Sequence, residues 1–349
     1  MSKFYISCLL AALLFVVPLA VFVTPNMGNF ESERRRSAAF PEMPSKLRYS
    51  DITRFFRRLD AFFADHFPLR TPLLGLSMSL YATVGDNLNM DKCYRGKENW
   101  LFLGNSYARC VDKLQGRVHL AGSSLKQQTE AYVKIRDAAE NCGAEFFIFI
   151  GPNKSGIYPE YLPPVVAPAQ RRYITPLLAS LYGAGIKVYD PTERLIGAKS
   201  TALLYYRTDT HWNIRGAYEA FAGFIEYARL PGLPHLSFVE APMPERDDLV
   251  RMGGYSNFPL SDGDSFTLTW SVPLPLHEED GLITNTHATS GKTAWVFGDS
   301  FVGALRPYIT ATFREVRFFK HEEFETAAAS QYAKPDIILW VIVERNFAR

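Results

Sequence analysis

A serine at position 300 stands where a nucleophile could work. It belongs to the tetrapeptide Gly-Asp-Ser-Phe at residues 298–301, which follows the apolar run 293–297 and precedes residues 302–306, a segment able to begin a helix. A serine at such a strand-to-helix corner projects its hydroxyl beyond the carboxyl end of a sheet. Backbone N–H groups at the start of the next helix can then receive developing negative charge. Serine is a weak nucleophile alone, so this interpretation requires a base and a group that orients it.

Asp209 and His211 provide a candidate base and orienting group. They are separated by one residue, so in an extended segment their side chains point the same way. The aspartate can then accept a hydrogen bond from one imidazole nitrogen while the other nitrogen faces a serine. Two alternatives stay open: a surface aspartate with a structural histidine packed on Trp212, or a metal site. The other histidines show no matching ligand spacing, so we expect no metal.

The letters Gly-Asp-Ser-Phe occur a second time, at residues 263–266. Leu260, Ser261 and Asp262 precede this copy, so no apolar strand leads into it, and the residues after it resemble a strand. A turn between two strands accounts for this copy. We therefore predict Ser300, and not Ser265, as the nucleophile.

The elements around these residues alternate between helix and strand. Ser124 and Gln127 form a capping-box pattern before a helix that Gly143 ends, and Asn213 can cap a helix over residues 214–228. Apolar runs predict strands at residues 146–150, 186–190, 294–297, 315–319 and 337–343. The alternation predicts an α/β fold whose parallel sheet carries helices on both faces, with a β-rich or irregular insertion at about residues 231–292.

The first 25 residues predict a membrane anchor. Residues 4–23 carry no charge and match the about 20 residues that a spanning helix needs. No small-x-small cleavage site stands at the end of this run, so an uncleaved anchor is favoured over a removed signal peptide. Flanking charges leave its orientation open. We divide the chain into a signal anchor (1–25), an extended lead-in (26–50) and a catalytic domain (51–349), which begins with an amphipathic segment at residues 52–63 that predicts a helix.

Composition excludes one class of partner. The chain has 349 residues with 38 basic and 36 acidic side chains, and no dense basic stripe, so we predict no nucleic-acid ligand. Three cysteines, Cys93, Cys110 and Cys142, lie outside the predicted anchor. Export would permit a disulfide between Cys93 and Cys110, but one cysteine would be left over. Buried or partly paired thiols are the favoured interpretation.

The chain resembles a known family at these same residues. Residues 298–301 together with Asp-Thr-His-Trp-Asn at residues 209–213 look like the SGNH-hydrolase-like domain of the AlgX/AlgJ family of alginate O-acetylation proteins. The likeness extends over further segments, at residues 65–70, 96–102, 152–154, 158–163, 335–336 and 344–346. This ordered set is much more specific than either catalytic motif.

The resemblance implies a three-layer, flavodoxin-like α/β/α fold on the periplasmic side of the bacterial inner membrane. It implies acetyl transfer onto an exopolysaccharide, with Ser300 as nucleophile, His211 as base and Asp209 as its orienting group. In ordinary SGNH hydrolases the serine motif comes early and Asp-x-His late. The order here is reversed, as in the alginate group, and triads tolerate several chain orders.

Four further residues are candidates for the cleft. Asn153 is a possible oxyanion donor beside the Ser300 N–H, although a turn role is an equal alternative. Lys154, Tyr158 and Arg306 are candidates for substrate binding, each with a structural alternative.

The expected partners follow from the implied reaction. One anchor cannot carry acetyl groups across a bilayer, so we expect a membrane-bound O-acyltransferase to supply the acetyl donor and a polysaccharide to accept it, with no cofactor. An acetylesterase with the same triad and a non-catalytic scaffold of an acetylation complex are the alternatives.

Overall fold

The computed structural model describes residues 39–44, 48–66, 91–242, 248–253 and 264–348, without the side chains of residues 64–66. The predicted anchor lies outside these ranges, as does most of the lead-in. Among the helices that are described, none is both long and apolar enough to span a bilayer.

The chain divides into two compact units, residues 1–88 with 250–258 and residues 89–249 with 259–349. The described part of the first unit holds the predicted amphipathic helix, α1 (Tyr49–His66), and the ring of Phe40 meets that of Phe62 edge-on at 5.2 Å between centroids. The second unit contains every described strand. The predicted domain boundary at residue 51 stays a prediction.

The strands are β1 (Cys93–Arg95), β2 (Leu101–Leu103), β3 (Glu145–Gly151), β4 (Lys187–Tyr189), β5 (Leu236–Glu240), β6 (Phe266–Trp270), β7 (Leu276–Glu279), β8 (Leu282–Asn285), β9 (Ser290–Gly298), β10 (Phe313–Phe319) and β11 (Ile337–Val343). The other helices are α2 (Cys110–Leu114), α3 (Gly122–Asn141), α4 (Lys154–Ile157), α5 (Thr175–Gly183), α6 (Thr192–Ala198), α7 (Ile214–Ala228), α8 (Asp248–Gly253), α9 (Val302–Thr312), α10 (Phe324–Ala329) and α11 (Glu344–Phe347).

The main sheet has the order β4-β3-β11-β9-β10-β8-β7. The five strands from β4 to β10 are parallel to one another, as predicted, whereas β8 joins β10 and β7 joins β8 in antiparallel register. The predicted parallel sheet is therefore present in these five strands, whereas the complete sheet is mixed. The cause is the insertion, whose residues form a tight hairpin at Asp280 (φ 48°) and Gly281 (φ 71°) that extends the sheet.

Both faces of the parallel region are buried, as its continuous apolar strands predict. In β3, Phe146, Ile148 and Ile150 face one hydrophobic cluster, which includes residues of α3 and α5. Phe147 and Phe149 face the other, which includes residues of α7 and α9. This arrangement confirms the three-layer α/β/α architecture.

Two helix starts show how well local patterns worked. Helix α7 begins and ends where predicted, and the Asn213 Oδ1 accepts a hydrogen bond from the Gly216 N–H at 2.9 Å. Helix α3 begins earlier than the capping-box pattern predicts, because Ala121 takes the cap position without a side-chain bond. Ser124 therefore lies inside the helix, where its hydroxyl accepts from the Gln128 side chain at 3.3 Å.

The cysteines outside the predicted anchor form no disulfide with one another. The Cys110 thiol donates to the Tyr107 carbonyl at 2.8 Å, and burial raises the pKa of this thiol to about 11.

Candidate active site

The structure brings Ser300, His211 and Asp209 into one hydrogen-bonded chain. The Ser300 Oγ lies 2.7 Å from the His211 Nε2, and the His211 Nδ1 lies 2.6 Å from the Asp209 Oδ1. Ser300 follows β9 at the carboxyl edge of the parallel sheet, and His211 lies just before α7. This is the relative placement that a nucleophile, a base and an orienting carboxylate require.

The corner that carries Ser300 is held by the residue before it. The Asp299 Oδ1 accepts from the Phe301 N–H at 3.0 Å, and its Oδ2 accepts from the Val343 N–H at the end of β11 at 2.8 Å. Gly298 is required for space, because a Cβ there would lie 2.3 Å from the Val302 Cγ2. Asp299 thus fixes the serine relative to the neighbouring strand.

The segment that carries the base is bent rather than extended. The Asp209 Oδ1 accepts from the His211 N–H at 2.9 Å as well as from the ring, so the carboxylate closes a turn around Thr210. The two side chains meet through this turn. Burial acts to raise the pKa of the Asp209 carboxyl, but the hydrogen bonds and charge of His211 outweigh it, and the pKa lies below its ordinary value.

Aromatic packing fixes the ring of His211 against the serine corner. The imidazole lies 5.1 Å from the Phe301 ring, centroid to centroid. The buried Trp212 side chain contacts that ring as well and donates its Nε1–H to the Phe301 carbonyl at 3.1 Å. Trp212 therefore ties the base segment to the corner of the nucleophile.

Lys154 supports the base segment from beneath. Its buried Nζ donates to the carbonyls of Tyr206 (3.0 Å), Arg207 (3.0 Å) and Asp209 (2.7 Å). Burial lowers the pKa of this amine to about 8. These contacts are structural, and the predicted role in substrate binding stays a prediction.

The second Asp-Ser-Phe copy also contacts the base segment. The buried Asp264 accepts from the Arg207 N–H at 2.9 Å through its Oδ2, and its carbonyl accepts from the Asn213 side chain at 3.0 Å. Ser265 is buried and directly precedes β6. This copy is therefore a structural support, and the buried Ser265 is not part of the hydrogen-bonded chain of Ser300.

Asp248 is a site residue that the sequence did not single out. Its Oδ1 accepts from the Thr210 N–H at 2.8 Å and its Oδ2 from the Thr210 hydroxyl at 2.6 Å. The same Oδ2 lies 3.9 Å from the His211 Nδ1. Burial and the nearby Asp209 charge raise the pKa of the Asp248 carboxyl. An acid so distant along the chain carries no local signal that could have identified it.

Asp209, His211 and Asp248 also present potential metal-ligand atoms within 4.8 Å of one another. The four carboxylate oxygens already accept hydrogen bonds, from Thr210, from His211 and from the Asp248 N–H, which lies 3.3 Å from the Asp209 Oδ2. A metal on the His211 Nδ1 would displace the proton shared with Asp209. We therefore assign the cluster to hydrogen bonding.

The other predicted cleft residues lie apart from this chain of hydrogen bonds. Asn153 follows β3, where its N–H donates to the Glu344 Oε2 at 3.0 Å and its Oδ1 accepts from Arg345 at 3.4 Å. The Tyr158 hydroxyl accepts from the Leu204 N–H at 2.9 Å, and burial raises its pKa to about 12. The exposed Arg306 pairs with Glu278 at 3.4 Å. Their roles in binding stay predictions.

A groove of about 910 Å³ opens beside Ser300. Its walls come from α3, β11, α11 and residues 320–322; the exposed lining is mainly apolar, with Tyr132, Ile135, Trp340 and Phe347 among the wall residues. Ser300 is exposed and lines this groove, so a substrate in the groove can reach its hydroxyl.

Comparison with known proteins finds one family model that matches the central part of the chain. Residues 93–249, which include Asp209, His211 and Asp248, match the family described as "SGNH hydrolase-like domain, acetyltransferase AlgX". A probable alginate O-acetylase AlgJ of Pseudomonas syringae pv. tomato is 26% identical over 196 residues, which is 53% of this chain and 48% of that protein. The chain thus spans about half the length of this curated relative.

Two solved structures share the fold. The O-acetyltransferase domain of Pseudomonas putida AlgJ aligns with a TM-score of 0.50 at 18% identity, covering 74% of this chain and 92% of that domain. Bacillus cereus PatB1 aligns with a TM-score of 0.51 at 13% identity, covering 74% of this chain and 98% of PatB1. At these identities the structures speak for the fold alone. Residues 93–249 are thus similar to the SGNH-hydrolase-like domain of AlgX, and the wider chain shares its fold with the two solved structures.

Proposed function

We propose that this protein is an O-acetyltransferase that acetylates hydroxyls of an exopolysaccharide through an acetyl-Ser300 intermediate. The observation that carries the proposal is the hydrogen-bonded chain from the Ser300 Oγ through the His211 imidazole to the buried Asp209. The family match, which is described as an acetyltransferase, and the relative named as an alginate O-acetylase support the choice of acyl group and acceptor.

In the first half-reaction, the Ser300 Oγ attacks the carbonyl carbon of the donor's acetyl group while its proton passes to the His211 Nε2. The tetrahedral adduct then collapses, the bond to the donor's leaving atom breaks, and that leaving group takes the proton from His211. Asp209 accepts a hydrogen bond from the Nδ1–H, so it fixes the tautomer and stabilises the imidazolium. The Ser300 N–H and Asn153 are the proposed donors to the oxyanion.

In the second half-reaction, a sugar hydroxyl gives its proton to His211 and attacks the acetyl carbon. The ester bond to Ser300 breaks, and the serine oxygen recovers the proton. The acetyl group has then moved from donor to sugar, and the triad has returned to its starting state. The groove beside Ser300 offers a place for the sugar chain.

We place this reaction in the periplasm, on a protein held to the inner membrane by residues 1–25. The uncharged run at residues 4–23 supports an anchor. A membrane-bound O-acyltransferase is the proposed source of the acetyl donor, since a single anchor cannot carry acetyl groups across a bilayer.

An acetylesterase is the second candidate, because Ser300 is exposed and its groove is open to water. Water would then replace the sugar hydroxyl in the second half-reaction. Incubation with an acetyl ester, with and without oligosaccharide, separates the two activities. If the amount of free acetate is the same with and without oligosaccharide, and no acetylated sugar forms, the esterase would be favoured.

The decisive test is mass spectrometry of the protein after brief exposure to p-nitrophenyl acetate and acid quenching. We expect an acetyl group on the peptide that contains Ser300, and we expect it to be absent in Ser300→Ala and in His211→Ala. Ser265→Ala is the matched control, because it alters the same letters at a buried position. An adduct that persists in Ser300→Ala would contradict the proposal, and unchanged polymer acetylation in that variant would favour a scaffold.

A further inference from the structure

We propose that Asp248 is a positioning residue for the base, a second carboxylate that holds the loop of His211 and stabilises its protonated form. The inference rests on the proposed function, since that function makes His211 the base that takes the serine proton and becomes positively charged. Asp248 does not touch Ser300 or the acyl group in this scheme. It acts through Thr210, Asp209 and His211.

The contacts of Asp248 are unusually complete for a side chain outside the triad. Both of its carboxylate oxygens accept from Thr210, one from the N–H at 2.8 Å and one from the hydroxyl at 2.6 Å. Its own N–H donates to the Asp209 Oδ2 at 3.3 Å. Asp248 therefore fixes Thr210, the residue between Asp209 and His211. Its N–H also donates to the Asp209 Oδ2, the carboxylate oxygen that does not contact the imidazole.

The Asp248 carboxylate faces the imidazole ring that becomes cationic when the Nε2 takes the serine proton. The Asp248 Oδ2 lies 3.9 Å from the His211 Nδ1, and its side chain is only 18% exposed, so water screens the pair weakly. An opposite charge within about 4–6 Å favours the protonated form of a histidine. The Asp209 Oδ1 and the Thr210 hydroxyl oxygen lie within hydrogen-bond distance of the Nδ1, at 2.6 Å and 3.3 Å, whereas Asp248 lies beyond it, so the contribution of Asp248 is electrostatic.

Among the described residues, three segments bring further charged groups near this pair. Asp209 lies on the same loop, the Lys154 ammonium approaches from α4, and Asp264 pairs with Arg207 at 3.5 Å behind the loop. Burial and Asp209 raise the pKa of the Asp248 carboxyl, whereas a charged His211 lowers it. The loop is therefore arranged so that protonation of His211 relieves the repulsion between two carboxylates.

Two variants separate the charge from the hydrogen bonds. Asp248→Asn keeps an acceptor for the Thr210 N–H and an amide beside its hydroxyl but removes the charge. Thr210→Val removes the hydroxyl link and keeps the charge. The measurement is kcat/KM for p-nitrophenyl acetate between pH 4.5 and 7.0, a range where Lys154, with a pKa of about 8, stays mostly charged.

We expect the acid limb of the Asp248→Asn profile to move to lower pH by about one unit, because an unassisted imidazole loses its proton more readily. The plateau rate falls by up to about tenfold, since the imidazolium of the transition state is less stable. In Thr210→Val, the limb stays at its wild-type position. An unmoved limb in Asp248→Asn, or an equal change in both variants, would overturn the proposal in favour of a purely structural aspartate.

Asp248→Glu is a further variant that keeps the proposal testable if Asp248→Asn fails to fold. It keeps the charge on a longer side chain, so the acid limb stays in place even where the rate falls; a limb that moves to lower pH would count against the proposal. Failure of the acetyltransferase assignment would show elsewhere, as ester turnover that survives Ser300→Ala. The two failures are therefore distinguishable.

Discussion

The two copies of Asp-Ser-Phe, at residues 299–301 and 264–266, share their letters and differ in what surrounds them. The first follows the buried strand β9, leaves its serine exposed and presents it to His211. The second leads into β6, whose partner is the antiparallel strand β5, and its serine is buried. The flanking elements therefore decide whether the serine faces a base or the interior.

The aspartates of the two copies do the same job for different parts of the site. Asp299 accepts from the backbone N–H groups of Phe301 and Val343 and so holds the nucleophile. Asp264 accepts from the Arg207 N–H and so holds the segment of the base. The copy at residues 264–266 therefore contributes to the reaction indirectly, because it helps to position the segment that carries His211.

The sharpest test of this difference is the serine itself. Ser300→Ala is expected to lower acetyl-ester turnover by at least about 10³-fold, because the nucleophile is lost. Ser265→Ala is expected to change turnover by less than about twofold, because its hydroxyl lies away from the groove. Steady-state kinetics on both variants, with circular dichroism as a check of folding, measures the contrast. Comparable losses in both would mean that the two copies are not distinguished in this way.

A second test concerns the space at the nucleophile corner. Gly298→Ala places a Cβ 2.3 Å from the Val302 Cγ2 and 3.2 Å from the Val341 carbonyl, so the corner must shift. We expect turnover to fall about 10- to 100-fold, since a displacement of about 1 Å misaligns the serine and His211.

Gly291→Ala is the matched control for the corner. It lies in the same strand, β9, and an added Cβ there meets nothing within 4 Å. Equal rates for Gly298→Ala and Gly291→Ala would show that the corner tolerates a side chain.

The third test compares the two aspartates. Asp299→Ala leaves two backbone N–H groups without acceptors and is expected to lower the free energy of unfolding by about 2–4 kcal/mol. Asp264→Ala removes the acceptor of the Arg207 N–H and is expected to cost about 1–3 kcal/mol. Urea unfolding gives both values.

Both aspartate substitutions should also reduce turnover, because each loosens one partner of the Ser300–His211 contact. The matching Asn variants retain an acceptor and should lie closer to wild type. If Asp264→Ala were destabilised without any change in turnover, its support of the base segment would be unimportant for the reaction.

Local sequence patterns predicted the elements whose signals lie within one segment. The apolar run of β3, the Asn213 cap of α7 and the strand before Ser300 are such cases, because propensity, capping and burial agreed there. The pairing of Asp209 with His211 was also predictable, although through an extended segment and not through the observed turn.

Features that depend on distant segments were not predictable. Asp248 reaches Thr210 only after the chain has passed through α7, β5 and residues outside the described ranges. The Asp280-Gly281 turn carries a hairpin signal, but nothing in it specifies β10 as the strand that the hairpin joins. Lys154 was a candidate for the cleft with a structural role as its alternative, and its burial against the base segment is a tertiary fact that the sequence does not show.

Lys154 gives the last test, since it holds from one side the segment that Asp264 holds from the other. Its pKa is about 8 in the folded protein against an ordinary value of 10.5, so the unfolded chain binds more protons between these values. The contribution of Lys154 to the free energy of unfolding therefore rises with pH, by about 2 kcal/mol from pH 8 to 9.5. Lys154→Met lacks this dependence.

Urea unfolding of wild type and Lys154→Met at pH 7, 8, 9 and 9.5 measures this pH dependence. The difference between the two free energies of unfolding at each pH is the quantity compared, because the effects of the buried tyrosines cancel in it. We expect the variant to be the less stable at every pH, because three carbonyls lose their donor, and the gap to widen above pH 8. A gap that stays constant would mean that the ammonium is not desolvated as its burial requires.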